Sequence, residues 1–305
     1  EVESHAVPLT AYPGDETCPD FSTDGSQVAF RWKADNTDNW DINVKVVGSG
    51  PPLRLTASPD WDIGPAWSPD GRRIAFYRRS QARAGIYVVS PLGGPESLLA
   101  ELCCGPTVLP YPLLQHPRAR LAWSPDGKLI AFSGRERPAD PYSVFLLAAD
   151  TGAKRRLTSP PSGWIGDRTP VFSPDGQTVA FSREEVPPRC DLWAVSVRGG
   201  EPRRLTFVDA AIAGLAWTGD GHGIVFSSAR GGQGGLWRIT ASGGAPQRVR
   251  GTGSGAVFPA ISRRGNRLVY AQMLSDPNIW RAEATGSTHG PGSLTKLIAS
   301  TRNDH

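Results

Sequence analysis

No run of apolar residues in this chain approaches the roughly 18 to 20 that a membrane-crossing helix requires. Its opening segment, EVESHAVPLT, has no basic stretch ahead of an apolar one, so it does not read as a secretory signal peptide. The sequence begins without Met and is expected to be an excerpt from a longer protein. Catalytic signatures are missing as well. There is no G-x-S-x-G nucleophile elbow: the nearest string, GTGSG at Gly251–Gly255, misses the pattern and lacks a strand-to-helix setting. No Gly-rich phosphate loop ending in Lys-Ser/Thr occurs. The five histidines (His5, His116, His222, His289 and His305) never fall at metal-ligand spacing. The four cysteines (Cys18, Cys103, Cys104 and Cys190) form no C-x-x-C or His-paired set, so idle or buried thiols are expected. Charge of one sign is also lacking. Lys+Arg number 33 against 29 Asp+Glu, a net of +4, and the arginines are scattered rather than gathered on one segment, unlike those of a nucleic-acid binder.

What is present is repetition. Six segments run from an aromatic or aliphatic residue through a tight turn into a second strand: FSTDGSQVAF from Phe21, WSPDGRRIAF from Trp67, WSPDGKLIAF from Trp123, FSPDGQTVAF from Phe172, WTGDGHGIVF from Trp217 and ISRRGNRLVY from Ile261. Their turn glycines, Gly25, Gly71, Gly127, Gly176, Gly221 and Gly265, recur at intervals of 44–56 residues. A period of roughly 40–50 residues with several short strands per unit marks a β-propeller. A third strand follows each hairpin (Asp41–Val46, Gly85–Val89, Ser143–Leu147, Asp191–Val195, Gly235–Ile239, Asn278–Ala282), then a fourth of the type PLRLT, KRRLT or PRRLT. The expectation is an all-β propeller of six four-stranded blades, one domain over 1–305, with the strand-like segment Ala6–Tyr12 left over.

The turn chemistry accounts for the most conspicuous carboxylates. In S-P-D-G, Pro presets φ, Asp bonds within the turn and Gly takes the left-handed position, so Asp70, Asp126 and Asp175 are read as structural. The opposite face carries the unusual loops: Asp35–Trp40, Trp61–Asp62, the insertion Glu101–Arg120, Arg135–Asp140, Trp164–Arg168 and Glu184–Cys190. A ligand or partner is expected there and at the channel mouth, with Trp40, Trp61, Asp62, Trp164, Asp167 and Arg168 as candidate binding residues. The oxygen-rich Asp35–Asp41 lacks the Gly and distant Glu of a calcium loop and is read as a polar turn. No catalytic residue, metal or cofactor is assigned.

The repeated S-P-D-G turn followed by aliphatic-Ala-Phe resembles the WD40-like repeat of TolB-type propellers. C-C-G-P at Cys103–Pro106 and K-R-R-L-T-S-P-P at Lys154–Pro161 are similar to segments in the C-terminal propellers of bacterial winged-helix regulators and serine/threonine kinases. The resemblance implies a noncatalytic sensor or protein-interaction module, monomeric and extracytoplasmic, that takes a protein or small-molecule ligand and contacts neither nucleic acid nor membrane. It leaves open a substrate-gating propeller of a prolyl-oligopeptidase-like serine peptidase, or a propeller-type polysaccharide lyase.

Overall fold

The computed structural model describes residues 6–35, 37–80, 84–103, 120–230, 234–264 and 267–273, with the strands 279–282 and 294–298. Most of the Glu101–Arg120 insertion, including Cys104, lies outside the described residues. So do Gly265, His5, His116, His289 and His305. Residues 6–14 form no strand. They lie against the first blade, where Tyr12 packs on Trp32 at 5.5 Å and the Trp32 indole donates to Pro13 O.

Each repeat folds into a meander. Blade one is β1 (Asp15–Phe21), β2 (Gln27–Lys33), β3 (Asp41–Val46) and β4 (Leu53–Arg54). Blade two is β5 (Trp61–Trp67), β6 (Ile74–Arg79), β7 (Ala84–Val89) and β8 (Ser97–Leu102). Blade three is β9 (Ala122–Trp123), β10 (Leu129–Gly134), β11 (Ser143–Ala148) and β12 (Lys154–Arg156). Blade four is β13 (Gly166–Phe172), β14 (Thr178–Glu184), β15 (Cys190–Ser196) and β16 (Arg203–Arg204). Blade five is β17 (Ile212–Trp217), β18 (Gly223–Ser228), β19 (Gly235–Thr240) and β20 (Gln247–Arg248). Every pairing within these sheets is antiparallel.

The blade count differs from expectation. Among the described residues five sheets are four-stranded, so the propeller has five blades and not six. β21 (Ala256–Ile261) and β22 (Leu268–Gln272) form a two-stranded hairpin, with β21 packed against β17 and β1. The segments expected as the third and fourth strands of a sixth blade are β23 (Ile279–Ala282) and β24 (Leu294–Ile298), which form a two-stranded sheet of their own. They belong to a second compact unit, residues 273–305. The sixth copy is the degenerate one. Its second strand leaves Leu268, Val269 and Tyr270 half-buried, where Ile74, Ala75 and Phe76 of blade two are fully enclosed.

The turns explain why the hairpins recur. In blades one to five the turn Ser or Thr hydroxyl donates to the turn Asp at 2.5–2.6 Å. The same Asp oxygen accepts the backbone N–H two residues on, at 2.9–3.1 Å. The Gly beside each Asp sits at φ near +70°, a conformation that glycine adopts without steric cost. These bonds to the charged form hold the carboxyls below their ordinary range, to about 2 for Asp24.

The outer strands have a logic of their own. In R-L-T the leucines Leu55, Leu157 and Leu205 are buried. The hydroxyls of Thr56, Thr158 and Thr206 accept the N–H of Ile42, Val144 and Leu192 at 3.0, 2.8 and 2.9 Å. Arg54 and Arg204 pair across to Asp41 and Asp191 at 2.8 and 2.5 Å. One residue earlier, Arg155 reaches Val197 O of the next blade, and Arg203 reaches Ala241 O and Ser242 O of the blade after it. Between blades, the fully buried Phe76, Phe181 and Phe226 supply the packing, each contributing roughly 1.5–3 kcal/mol.

The turn aspartates have depressed folded values, so the stability they lend is complete above the unfolded carboxyl range and is lost on acidification. We expect the denaturation midpoint to fall between pH about 4 and pH about 2. Asp24→Asn is expected to flatten that fall, and denaturant unfolding at several pH values measures it.

Candidate functional site

The innermost strands surround a central channel. At the turn end they close on a cavity of about 290 Å³, walled by the large residues Phe21, Trp67, Trp123, Phe172, Trp217 and Ile261. Each large residue follows a position where the strands approach closely. Five repeats place a small apolar residue there: Ala66, Ala122, Val171, Ala216 and Ala260. The close approach is visible in the hydrogen bonds. The Trp123 indole donates to Ala66 O at 3.1 Å and the Trp217 indole to Val171 O at 3.3 Å, each reaching the preceding blade.

Three charged residues stand at positions that are uncharged in every other copy, and all three line the same cavity. Asp20 takes the place of the small residue in blade one. Arg263 stands where the other turns have Pro69, Pro125, Pro174, Thr23 or Gly219. Arg120 occupies the position held elsewhere by Gly64, Gly214, Cys18, Thr169 or Phe258. That position lies in the β-bulge of the other innermost strands, and Cys18, Gly64, Thr169 and Phe258 all have positive φ there.

The three charges are mutually braced. Arg120 Nη1 donates to Pro259 O at 2.7 Å and to Leu215 O at 3.3 Å, on strands of other blades, while Nη2 is 3.6 Å from Asp20 Oδ1. Arg263 Nη2 donates to Trp123 O at 3.2 Å. Asp20 Oδ2 accepts the Trp67 backbone N–H at 2.8 Å. Burial pushes the Asp20 carboxyl above its ordinary range, against the pull of Arg120, the Trp67 N–H and Arg263. Burial likewise lowers Arg263, partly offset by Asp20. No other charged side chain lines the cavity among the described residues, so two guanidinium groups face one carboxylate. The Trp67 indole N–H, buried at this junction, has no hydrogen-bond partner, unlike those of Trp123 and Trp217.

The six residues picked out on the loop face fall into two groups away from this cavity. Trp40 is buried, with the guanidinium of the fully buried Arg31 stacked 4.4 Å from its ring. Its carbonyl accepts the N–H of Asp62 at 2.9 Å. Trp61 is half-buried in β5 and donates to Asp38 O. Asp62, also in β5, has no exposed surface and is gripped by Arg78 through two bonds of 2.7 Å. Burial raises its carboxyl to about 6. The second group repeats this device. Asp167 in β13 is enclosed and held by Arg183 at 2.6 and 2.9 Å, with burial again raising its carboxyl. Arg168 is buried, 4.7 Å from the Tyr142 ring and 3.8 Å from Glu184. Trp164 lies half-buried in the preceding loop.

Reading along the chain missed Asp20, Arg120 and Arg263. The signal was there in the columns: a charge at positions where every other copy is uncharged. Of the thiols, Cys18 and Cys190 are buried and Cys103 is exposed.

Comparison with known proteins follows the fold. The profile of the TolB beta propeller domain family, PD40, matches residues 115–305, well over half of the chain. The chain is 27% identical over 227 residues to an uncharacterized protein of Agrobacterium fabrum, covering 72% of this chain and 68% of that one. It is 25% identical over 219 residues to the uncharacterized peptidase YuxL of Bacillus subtilis, covering 70% of this chain but only 29% of that protein. The solved structure of a protein assigned as TolB in Agrobacterium tumefaciens superimposes with a TM-score of 0.67 at 19% identity, over 87% of this chain and 93% of that one.

The Asp167–Arg183 pair gives a stability prediction. Arg183→Ala leaves a fully enclosed carboxylate without its counter-charge and is expected to cost about 3–5 kcal/mol. Asp167→Asn combined with Arg183→Gln should cost markedly less, and denaturant unfolding of the two variants checks the order.

Proposed function

Because the chain belongs to the TolB beta propeller domain family, we propose that it is a noncatalytic binding module whose ligand enters the turn end of the central channel. The convergence of Asp20, Arg120 and Arg263 on one cavity carries this reading. Three charges at positions uncharged in the other copies meet at one cavity. The wall around them offers aromatic surface and excess positive charge, and among the described residues it holds no His, Cys or Lys that could serve as base or nucleophile. By the likeness of its C-C-G-P and K-R-R-L-T-S-P-P segments, the module is the sensor or partner-binding part of a bacterial signalling or transcriptional regulatory protein, acting outside the cytoplasm. Its ligand is a protein segment or a small molecule.

A second reading, the substrate gate of a serine peptidase, draws on the similarity to YuxL. The chain spans less than a third of that protein, so its peptidase activity does not pass to this segment.

The test is a thermal-shift screen against organic acids, short peptides and their neutral counterparts, run beside assays with dipeptidyl p-nitroanilides and oligogalacturonate. We expect no turnover, and at least one stabilising ligand whose shift disappears in Arg263→Gln. Turnover by the isolated chain overturns the noncatalytic reading. A shift insensitive to Arg263 and to Trp217→Ala places binding elsewhere.

A further inference from the structure

The cavity already contains an occupant of its arginines, and that occupant indicates what they are suited to take. Asp20 is the only carboxylate lining the cavity among the described residues, and it lies 3.6 Å from Arg120, too long for a closed ion-pair hydrogen bond. Arg120 spends Nη1 on two backbone carbonyls, which leaves Nη2 facing Asp20 alone. Arg263 lines the same cavity and has one hydrogen bond, to Trp123 O. A planar guanidinium offers five N–H donors, so both arginines retain capacity toward a second anion. Asp20 is itself anchored from behind by the Trp67 N–H, so it cannot advance to close the 3.6 Å gap without giving up that bond. The internal pair is therefore loose by construction.

Resting on the reading of this cavity as the ligand site, we propose that it is a carboxylate-exchange site. An incoming carboxylate attached to an aromatic or apolar group takes Arg120 Nη2 and Arg263, and in doing so replaces Asp20 as their partner. The guanidinium fork matches a carboxylate bidentately, and Trp123, Phe172 and Trp217 supply flat surface for the attached group. Proton uptake by Asp20 removes the internal competitor, so binding strengthens as pH falls. The groups facing Asp20 are Arg120 ahead of β9, Arg263 beyond β21 and the Trp67 N–H of β5.

Phenylacetate, its neutral amide and a capped Gly-Trp-Glu-Gly peptide with its Gln counterpart are suitable probes, followed by calorimetry at pH 8 and pH 5. We expect phenylacetate or the Glu peptide to bind and the neutral partners not to. Binding by phenylacetate alone assigns the carboxylate to a small acid; binding by the peptide alone assigns it to a protein. Asp20→Asn, which keeps the shape and can still accept from Trp67, should tighten binding about tenfold at pH 8 and abolish the difference between the two pH values. Arg263→Gln should weaken binding at least tenfold. Equal binding of neutral and charged probes, or of inorganic phosphate in preference to both acids, overturns the carboxylate assignment. Binding that depends on Arg263 but ignores both Asp20→Asn and pH overturns the exchange while leaving the channel as the ligand site. If no probe responds to any channel substitution, the channel reading falls with it.

Discussion

Crowding about the central axis governs this molecule. The innermost strands stand side by side with so little room between them that the residue before each large wall residue is Ala or Val in five copies out of six. At Gly214 an added Cβ would lie 3.1 Å from the Phe258 Cα. A bulge interrupts β1, β5, β13, β17 and β21 at mid-strand, before each reaches its turn. Bonds such as Trp123 to Ala66 O form because the strands are this close. Hairpin register, blade spacing and the seating of the buried second strands all depend on that approach.

Seen this way, the cavity charges are costly departures from what the ring prefers. A carboxylate in a position suited to a methyl group loses hydration, and its neighbours only partly restore it. The same is true of Asp62 and Asp167, but each of those is answered by a bidentate arginine on the adjoining strand. The contrast separates the two kinds of buried carboxylate. Asp62 and Asp167 are each held by an arginine of their own blade and by a threonine hydroxyl, Thr56 and Thr158, of the blade before. Asp20 is held across blades by a single backbone bond and a distant guanidinium, which suits a group that exchanges partners.

Much of the architecture could be read in advance because the turn, the buried second strand and the R-L-T edge each have a local physical cause. Ser68 and Asp70 bond within three residues, and Thr56 satisfies Ile42 one strand away. Blade number was not legible, because it depends on whether β22 acquires a third strand, and the degenerate sixth copy carries no local signal that decides the matter. Strand limits were harder to read: Trp61, Asp62, Asp167 and Arg168 look like loop residues in sequence, yet β5 and β13 extend through them, and Asp62, Asp167 and Arg168 are buried. Asp20, Arg120 and Arg263 are 100 residues or more apart at their widest spacings, and only closure of the ring brings them together.

The reach of Arg120 also links parts of the chain that are far apart. It stands ahead of β9 in the third blade and donates to carbonyls on β17 and β21. One side chain thereby ties the start of that blade to two other inner strands at the cavity wall, so the group that would meet a ligand also fastens together segments about 100 residues or more apart in sequence.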